Sequence, residues 1–228
     1  MCGRYSLFIP PDELEARFDA TFTFAFEPRY NAAPSQSLPV ITDDANDVIQ
    51  RLRWGLVPRW ADDDRGGHIN ARAETLTEKP AFADAYEHRR CLVLADGFYE
   101  WTETECGKRP YRVTRIDGEP FAMAGLWERW TPDTLQTGLG EFGSEGPSSQ
   151  ADPVETFTII TTEPNAVVEP LHHRMAVLLE PDEEDAWLAG EGVALDPAPS
   201  DEFRAYPVST AVNNPTNDTP ELVEELER

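Results

Sequence analysis

Residues 91–101 read CLVLADGFYEW, and the way this stretch folds decides the architecture. CLVLA is an unbroken apolar run, the pattern of a strand buried on both faces. Asp96-Gly97 is a tight-turn pair, and the FYEWTE that follows reads as a second strand. Glu100 sits between Tyr99 and Trp101. On an alternating strand it faces away from both aromatics, leaving two readings. It is either a solvent-facing carboxylate or a buried acid whose raised pKa suits proton transfer.

The flanking sequence extends this β pattern in both directions. Upstream, GRYSLF, LPVIT and DVIQRLRWGL read as strands, the last with a turn at Gly55. PPDELEARF carries a proline near N1, acids in the first turn, and Leu14 and Phe18 on one face, which predicts a helix. Residues 80–88 predict another short helix. Downstream, YRVTRI and PFAMAGLWERW are strands joined by Asp117-Gly118, a hairpin signal. ETFTIITT, RMAVLLEP and FRAYPVST add strands, PNAVVEPL a short turn of helix, PDEEDAWLAG a helix, and PELVEELER a small amphipathic C-terminal helix. Strands are interspersed with short helices and lack regular β-α-β spacing. The expected fold class is therefore α+β: a single domain over 2–228, with curved, mainly antiparallel sheets around one core and short flanking helices.

Between 131 and 153 glycine, proline, serine and acids dominate, as in a surface insertion. The GLGEFG within it matches a dinucleotide fingerprint only formally, since neither a preceding strand nor a following helix is present.

The chain has 228 residues, 43 aspartates and glutamates, and a formal net charge of −24. Lys79 and Lys108 are its only lysines. Six Trp and eleven Phe argue against an acidic disordered chain. The composition fits a folded protein with an acidic surface suited to a salt-crowded, halophilic cytosol. Such charge ordinarily argues against nucleic acid. At 1 M salt, however, the Debye length is about 3 Å, and a local arginine cluster then suffices. The three cysteines, Cys2, Cys91 and Cys106, form no Cys-x-x-Cys pair and fit neither a disulfide framework nor a zinc ribbon. Cys91 reads as a core residue and Cys106 as a hairpin tip. No signal region and no membrane-length apolar run is visible, so a cytoplasmic, soluble chain is expected, with no metal and no cofactor.

Four stretches place polar residues at strand ends: MCGR, INARAET, DGFYEW and LHHRM. Once Met1 is removed, Cys2 carries an α-amine and a thiol on adjacent carbons. Asn70 is a cap or a site residue; Arg72 and Glu74 share a face with it and can pair. His172 and His173 are half of the four histidines. No G-x-S-x-G elbow is present, so Cys2 is the better nucleophile candidate.

Together MCGRY, YNAAPSQ, RWGLVPRWA, INARAET, CLVLADGFYEW, LHHRMAVLL and VSTAVNNPTND resemble the SRAP family, the SOS response-associated peptidases that sense abasic sites. The resemblance runs from residue 2 to about 218 and implies an enzyme of lyase type that crosslinks itself to abasic sites in single-stranded DNA. In it Cys2 forms a thiazolidine with the opened sugar. Asn70 orients the amine, Glu100 moves protons, and His172 is acid/base on the sugar oxygen. It also implies phosphate contacts from Arg4, Arg72 and Arg174. Trp54 and Trp60 become candidates for base stacking or for walling the groove, with core packing open for Trp54. Where the family commonly has proline after the Arg-Met pair, this chain has Ala176. The alternatives are a thiol peptidase using Cys2 and His172, with its own terminus a candidate substrate, and a non-catalytic single-strand-binding module. The expected partner is single-stranded DNA, with a nucleoid association and a monomeric state.

Overall fold

A computed structural model describes residues 2–105, 107–131 and 152–226. Cys106, GLGEFG and residues 132–151 of the expected insertion lie outside the described residues. The first half runs β1 (Tyr5–Leu7), α1 (Pro11–Phe18), β2 (Thr21–Phe22), β3 (Arg29–Ala32), β4 (Ser37–Thr42), β5 (Ala45–Trp54), β6 (Asn70–Arg72) and α2 (Ala83–His88). It continues with β7 (Arg90–Ala95), β8 (Gly97–Thr104), β9 (Gly107–Arg115), β10 (Phe121–Trp130) and β11 (Val154–Thr162). Last come β12 (Met175–Ala176), β13 (Leu178–Leu179), α3 (Pro181–Leu188) and β14 (Phe203–Pro207).

Two sheets share these strands. The smaller has the order β14-β9-β8-β1-β3. In the larger, β11, β10, β7, β4 and β5 pair antiparallel in that order. Parallel pairing of β11 with β5, Thr156 to Arg53 and Phe157 to Trp54, closes that sheet into a ring. The architecture is a single α+β domain of mostly antiparallel sheets with few, short helices.

The opening stretch is where the sheets meet. β7 is buried throughout and belongs to the ring, whereas β8 belongs to the smaller sheet, and Asp96 alone separates them. Asp96-Gly97 thus makes a corner between sheets. Its carboxylate holds that corner: Oδ1 accepts from Ser6 Oγ at 2.6 Å, and Oδ2 from Phe8 N at 2.5 Å. The Asp117-Gly118 hairpin expectation is overturned. β9 pairs with β8 and β14, while β10 pairs with β7, β11 and β13, so this link also crosses between sheets. RMAVLLEP divides into β12 on β11 and β13 on β10, wedged where those two strands splay. The expected C-terminal helix shrinks to one 3-10 turn, Pro220–Val223, whose Leu222 is buried.

The helices follow their sequence signals. α1 has proline in its first turn, Asp12 and Glu13 beside it, and Leu14 and Phe18 buried. α3 adds a capping box between Glu180 and Glu183. Both pack on the apolar cluster that includes Leu92, Leu94 and Leu126. A second cluster, between the ring and the smaller sheet, contains Cys2, Tyr5, Trp54, Val93, Phe98 and Phe157. A third covers the other face of the smaller sheet with Tyr99, Tyr206 and Val212. No helix among the described residues is long and apolar enough to cross a membrane.

Candidate active site

β8 places Glu100. Phe98 points into the cluster that holds Cys2, and Tyr99 points to the opposite cluster, so alternation turns Glu100 to the Phe98 side. Both faces of the sheet are covered here, and Glu100 is only 2% exposed. That answers the question its flanking aromatics raised: the carboxyl is buried. Burial raises its pKa to about 7, placing it where it can both hold and release a proton near neutrality.

β1 brings the N-terminal residues alongside. Tyr5 and Ser6 pair with Phe98 and Gly97, and Tyr99 N donates to the Arg4 carbonyl at 3.0 Å. Cys2 is completely buried, its thiol donating weakly to the Arg4 carbonyl at 3.9 Å. Burial, then the Glu100 carboxylate, pushes the thiol pKa well above that of an ordinary cysteine. The environment thus keeps the sulfur protonated.

Asn70 begins β6, which runs parallel to β11. Its Nδ2 donates to the Cys2 carbonyl at 2.9 Å, and its Oδ1 is buried with no hydrogen-bond partner among the described residues. His172 follows a turn fastened by Asn165, whose Oδ1 accepts from Val167 N and Val168 N, both at 3.1 Å. Arg174 N donates to His172 Nδ1 at 3.1 Å, assigning the neutral ring's proton to Nε2. The Arg174 carbonyl, 3.2 Å from the same nitrogen, is the acceptor once the ring is protonated. Burial foremost lowers the His172 pKa, so the neutral imidazole prevails at pH 7. Glu100, Trp101, Lys108, His172 and Asn213 line an open cavity of about 400 Å³. Cys2, Asn70, Glu100 and His172, remote in sequence, thus gather around one region.

The expected phosphate and base contacts fare differently. Arg174 is buried and bound by Glu74, 2.5 and 2.9 Å from its two terminal nitrogens, and by the Thr161 carbonyl. Its two terminal nitrogens are occupied in the fold, and Glu74 pairs with Arg174 in place of Arg72. Arg4 Nη1 donates to Asn31 Oδ1 at 2.8 Å and to the Val212 carbonyl at 2.7 Å, holding the 212–213 segment against β3. Arg72 is exposed. Trp54 is 1% exposed, stacked near Tyr5 and Phe157, with Nε1 donating to the Ile69 carbonyl. It is a core residue and offers no face to a base. Trp60 is 65% exposed, on the loop between Leu56 and His68, whose backbones bridge.

Sequence reasoning did not single out Trp101 and Asn213 as cavity walls, although both stand in motifs that it quoted. They are joined by a 2.7 Å bond from Trp101 Nε1 to Asn213 Oδ1. Nor did it anticipate Asn31 and Asp218, which fasten the 212–218 segment: Asn31 Nδ2 donates to the Asn217 carbonyl at 2.8 Å, and Asp218 Oδ1 accepts from Tyr30 N at 2.6 Å. Paired asparagines and an aspartate in NNPTND were the available signal. Among the described residues no group of three His, Cys, Asp or Glu side chains is arranged for a metal ion.

A β-ring with an appended five-stranded sheet, and a cysteine, amide, carboxyl and imidazole at their junction, point to one family. The family model described as SOS response associated peptidase (SRAP) matches residues 1–215. The chain belongs to that family. It is 40% identical to the abasic site processing protein YoaM of Bacillus subtilis, with 98% of each chain covered. It is 33% identical to the abasic site processing protein HMCES of Gallus gallus, over 89% of this chain and 67% of that one. A crystal structure of a Bacteroides thetaiotaomicron protein superposes with a TM-score of 0.83 at 25% identity, covering 99% of this chain and all of that one.

Proposed function

We propose that this protein captures abasic sites in single-stranded DNA as a covalent crosslink through Cys2, shielding the lesion during the DNA damage response. The observation that carries the reading is the Asn70–Cys2 contact beside buried Glu100. An amide donor fixes the Cys2 backbone at 2.9 Å, and the amide's own acceptor oxygen is buried without a partner among the described residues. A proton-accepting carboxyl with a pKa of about 7 stands close by. These are groups that would orient and deprotonate an α-amine.

The reaction requires hydrolysis of the Met1–Cys2 bond. Glu100 takes a proton from the Cys2 ammonium, whose ordinary pKa is about 7.7–8.0. The amine adds to C1′ of the ring-opened deoxyribose, and the carbinolamine expels its hydroxyl as water, leaving an imine. The proton that Glu100 has taken leaves with the departing hydroxyl, and neutral His172 steadies the sugar oxygen by hydrogen bonding from Nε2 during ring opening. The thiol sulfur then bonds to the imine carbon while its proton passes to nitrogen, closing a thiazolidine. The product mass is the sum of protein and DNA less one water.

The acidic, lysine-poor composition supports operation at high salt, where carboxylates repel a phosphate strand least. Peptidase action through a Cys2 thiolate is the weaker reading. A nucleophilic thiolate needs a cation to lower its pKa, whereas Cys2 is buried beside a carboxylate. The test incubates protein processed at Cys2 with a single-stranded oligonucleotide bearing a genuine abasic site. A denaturation-resistant adduct of the stated mass, absent with Cys2→Ala, is expected. An intact oligonucleotide recovered after denaturation would overturn the reading, and peptide cleavage without adduct would favour the peptidase.

A further inference from the structure

The cavity beside Glu100 and His172 is one of three that meet at a single side chain. A second, of about 410 Å³, is lined by Trp101, Glu103, Lys108 and His173 among others. A third, of about 520 Å³, runs past Glu105, Lys108 and Arg109 to Thr210. Lys108 borders all three. It is exposed, on β9 across from Glu103 in the hairpin register, and among the described residues no carboxylate is ion-paired with it.

We propose that Lys108 is the phosphate anchor of this groove, its ammonium binding the phosphodiester next to the captured nucleotide. The inference rests on the proposed function and adds to it the residue that holds the strand.

Arg174 is consumed by Glu74, and Arg4 by Asn31 and two backbone carbonyls. Both are fixed in the fold and hold little in reserve for a ligand. The groove itself carries Glu100, Glu103, Glu105 and Glu169, so a polyanion entering it meets carboxylates on several sides. A cation at the junction of the three cavities is what lets a phosphate lie there.

The residue type is informative. This chain has two lysines, and its other cationic side chains, histidines aside, are arginines. In a chain with 43 acids, a guanidinium is readily captured in a two-pronged pair, as Arg65–Asp63 and Arg129–Glu155 illustrate. An ammonium is a compact point charge on a flexible stem and forms no such fork, so it stays available. The same charge stands near His172, where it adds the smallest share, behind burial, the N-terminal charge and His173, to keeping the imidazole neutral.

The test separates binding from chemistry. Binding to an oligonucleotide carrying a tetrahydrofuran abasic analogue, which cannot be crosslinked, is measured by fluorescence anisotropy across a salt series. Wild type, Lys108→Gln, Lys108→Arg and the control Lys79→Gln, at a lysine that lines none of the three cavities, are compared. One phosphate contact on a single strand contributes about 0.7 to the slope of log K against log salt. Lys108→Gln is expected to flatten the slope by about that amount and to weaken low-salt binding, with Lys108→Arg restoring the slope and Lys79→Gln matching wild type. Equal slopes for wild type and Lys108→Gln would overturn the assignment, as would a loss that Lys108→Arg leaves unrepaired. Failure of wild type to crosslink a genuine abasic site would sink the proposed chemistry instead, and the salt slopes would still judge Lys108.

Discussion

Arg112 reaches across the smaller sheet to Asp96, the single residue between β7 and β8, with Nη2 2.9 Å from Oδ1 and both side chains at most 6% exposed. Ser6 Oγ lies 3.2 Å from the same guanidinium nitrogen, tying β1 to the pair. Burial works against the Arg112 cation, and Asp96 together with Tyr206 and Tyr99 more than offsets it, leaving the guanidinium more firmly protonated than usual. The strand that leads from Cys2 is therefore seated on a buried ion pair.

Removing one partner of that pair leaves the other charged and buried. Arg112→Met is expected to cost about 3–5 kcal/mol in chemical denaturation, the range for a broken buried pair. Gly97→Ala should act at the same place, because a Cβ there would come within 2.6 Å of the Arg112 guanidinium carbon. Both variants should lose crosslinking with β1. A surface-like loss below about 0.5 kcal/mol would show that the pair does not hold the corner.

Glu100 links stability to pH. Its pKa is near 4.3 in an unfolded chain and about 7 in the fold, so the folded state binds the extra proton between those values. Stability is fully present below about 4.3, falls as pH rises to about 7, and stays low above it. Glu100→Gln removes this dependence. At pH 8 it should stabilise the protein by up to about 3 kcal/mol, with little change at pH 4.5. Crosslinking should meanwhile slow by about 10²–10⁴. Parallel denaturation curves at the two pH values would contradict a buried, titrating Glu100.

His172 should titrate below the ordinary imidazole pKa of about 6.5. In an NMR titration its midpoint is expected under that value, so the crosslinking rate should show no acid limb near 6.5 from this group. His172→Ala should slow adduct formation at every pH from 6 to 8. A His172 midpoint above 6.5 would mean that the imidazolium is the form at work.

The two tryptophans separate cleanly. Trp54→Ala empties a core position and should cost about 3–5 kcal/mol of stability. Trp60→Ala should leave the unfolding midpoint nearly unchanged and weaken single-strand binding by about 1–3 kcal/mol, the range for a stacked base. Unaltered binding in Trp60→Ala would remove that residue from the interface.

Local signals were legible where the physics is local. Proline and acids at the starts of α1 and α3 marked both helices, because caps and dipoles act within a turn. The apolar run of β7 announced a doubly covered strand. Turn chemistry was less informative. Asp96-Gly97 and Asp117-Gly118 specify a bend, and a bend is compatible with a hairpin or with a change of sheet. The partners of β10 lie on β7, β11 and β13, which decided the second case.

From the sequence alone came the α+β class, the family motifs and the four residues of interest, since periodicity and residue chemistry are written along the chain. Only the tertiary structure decided that Glu100 is buried, that Trp54 is core, and that Glu74 holds Arg174 across 100 positions. Burial and ion pairing depend on which surfaces meet. A strand's alternation says which side chains share a face, and the sheet packed against that face determines whether they meet water or protein.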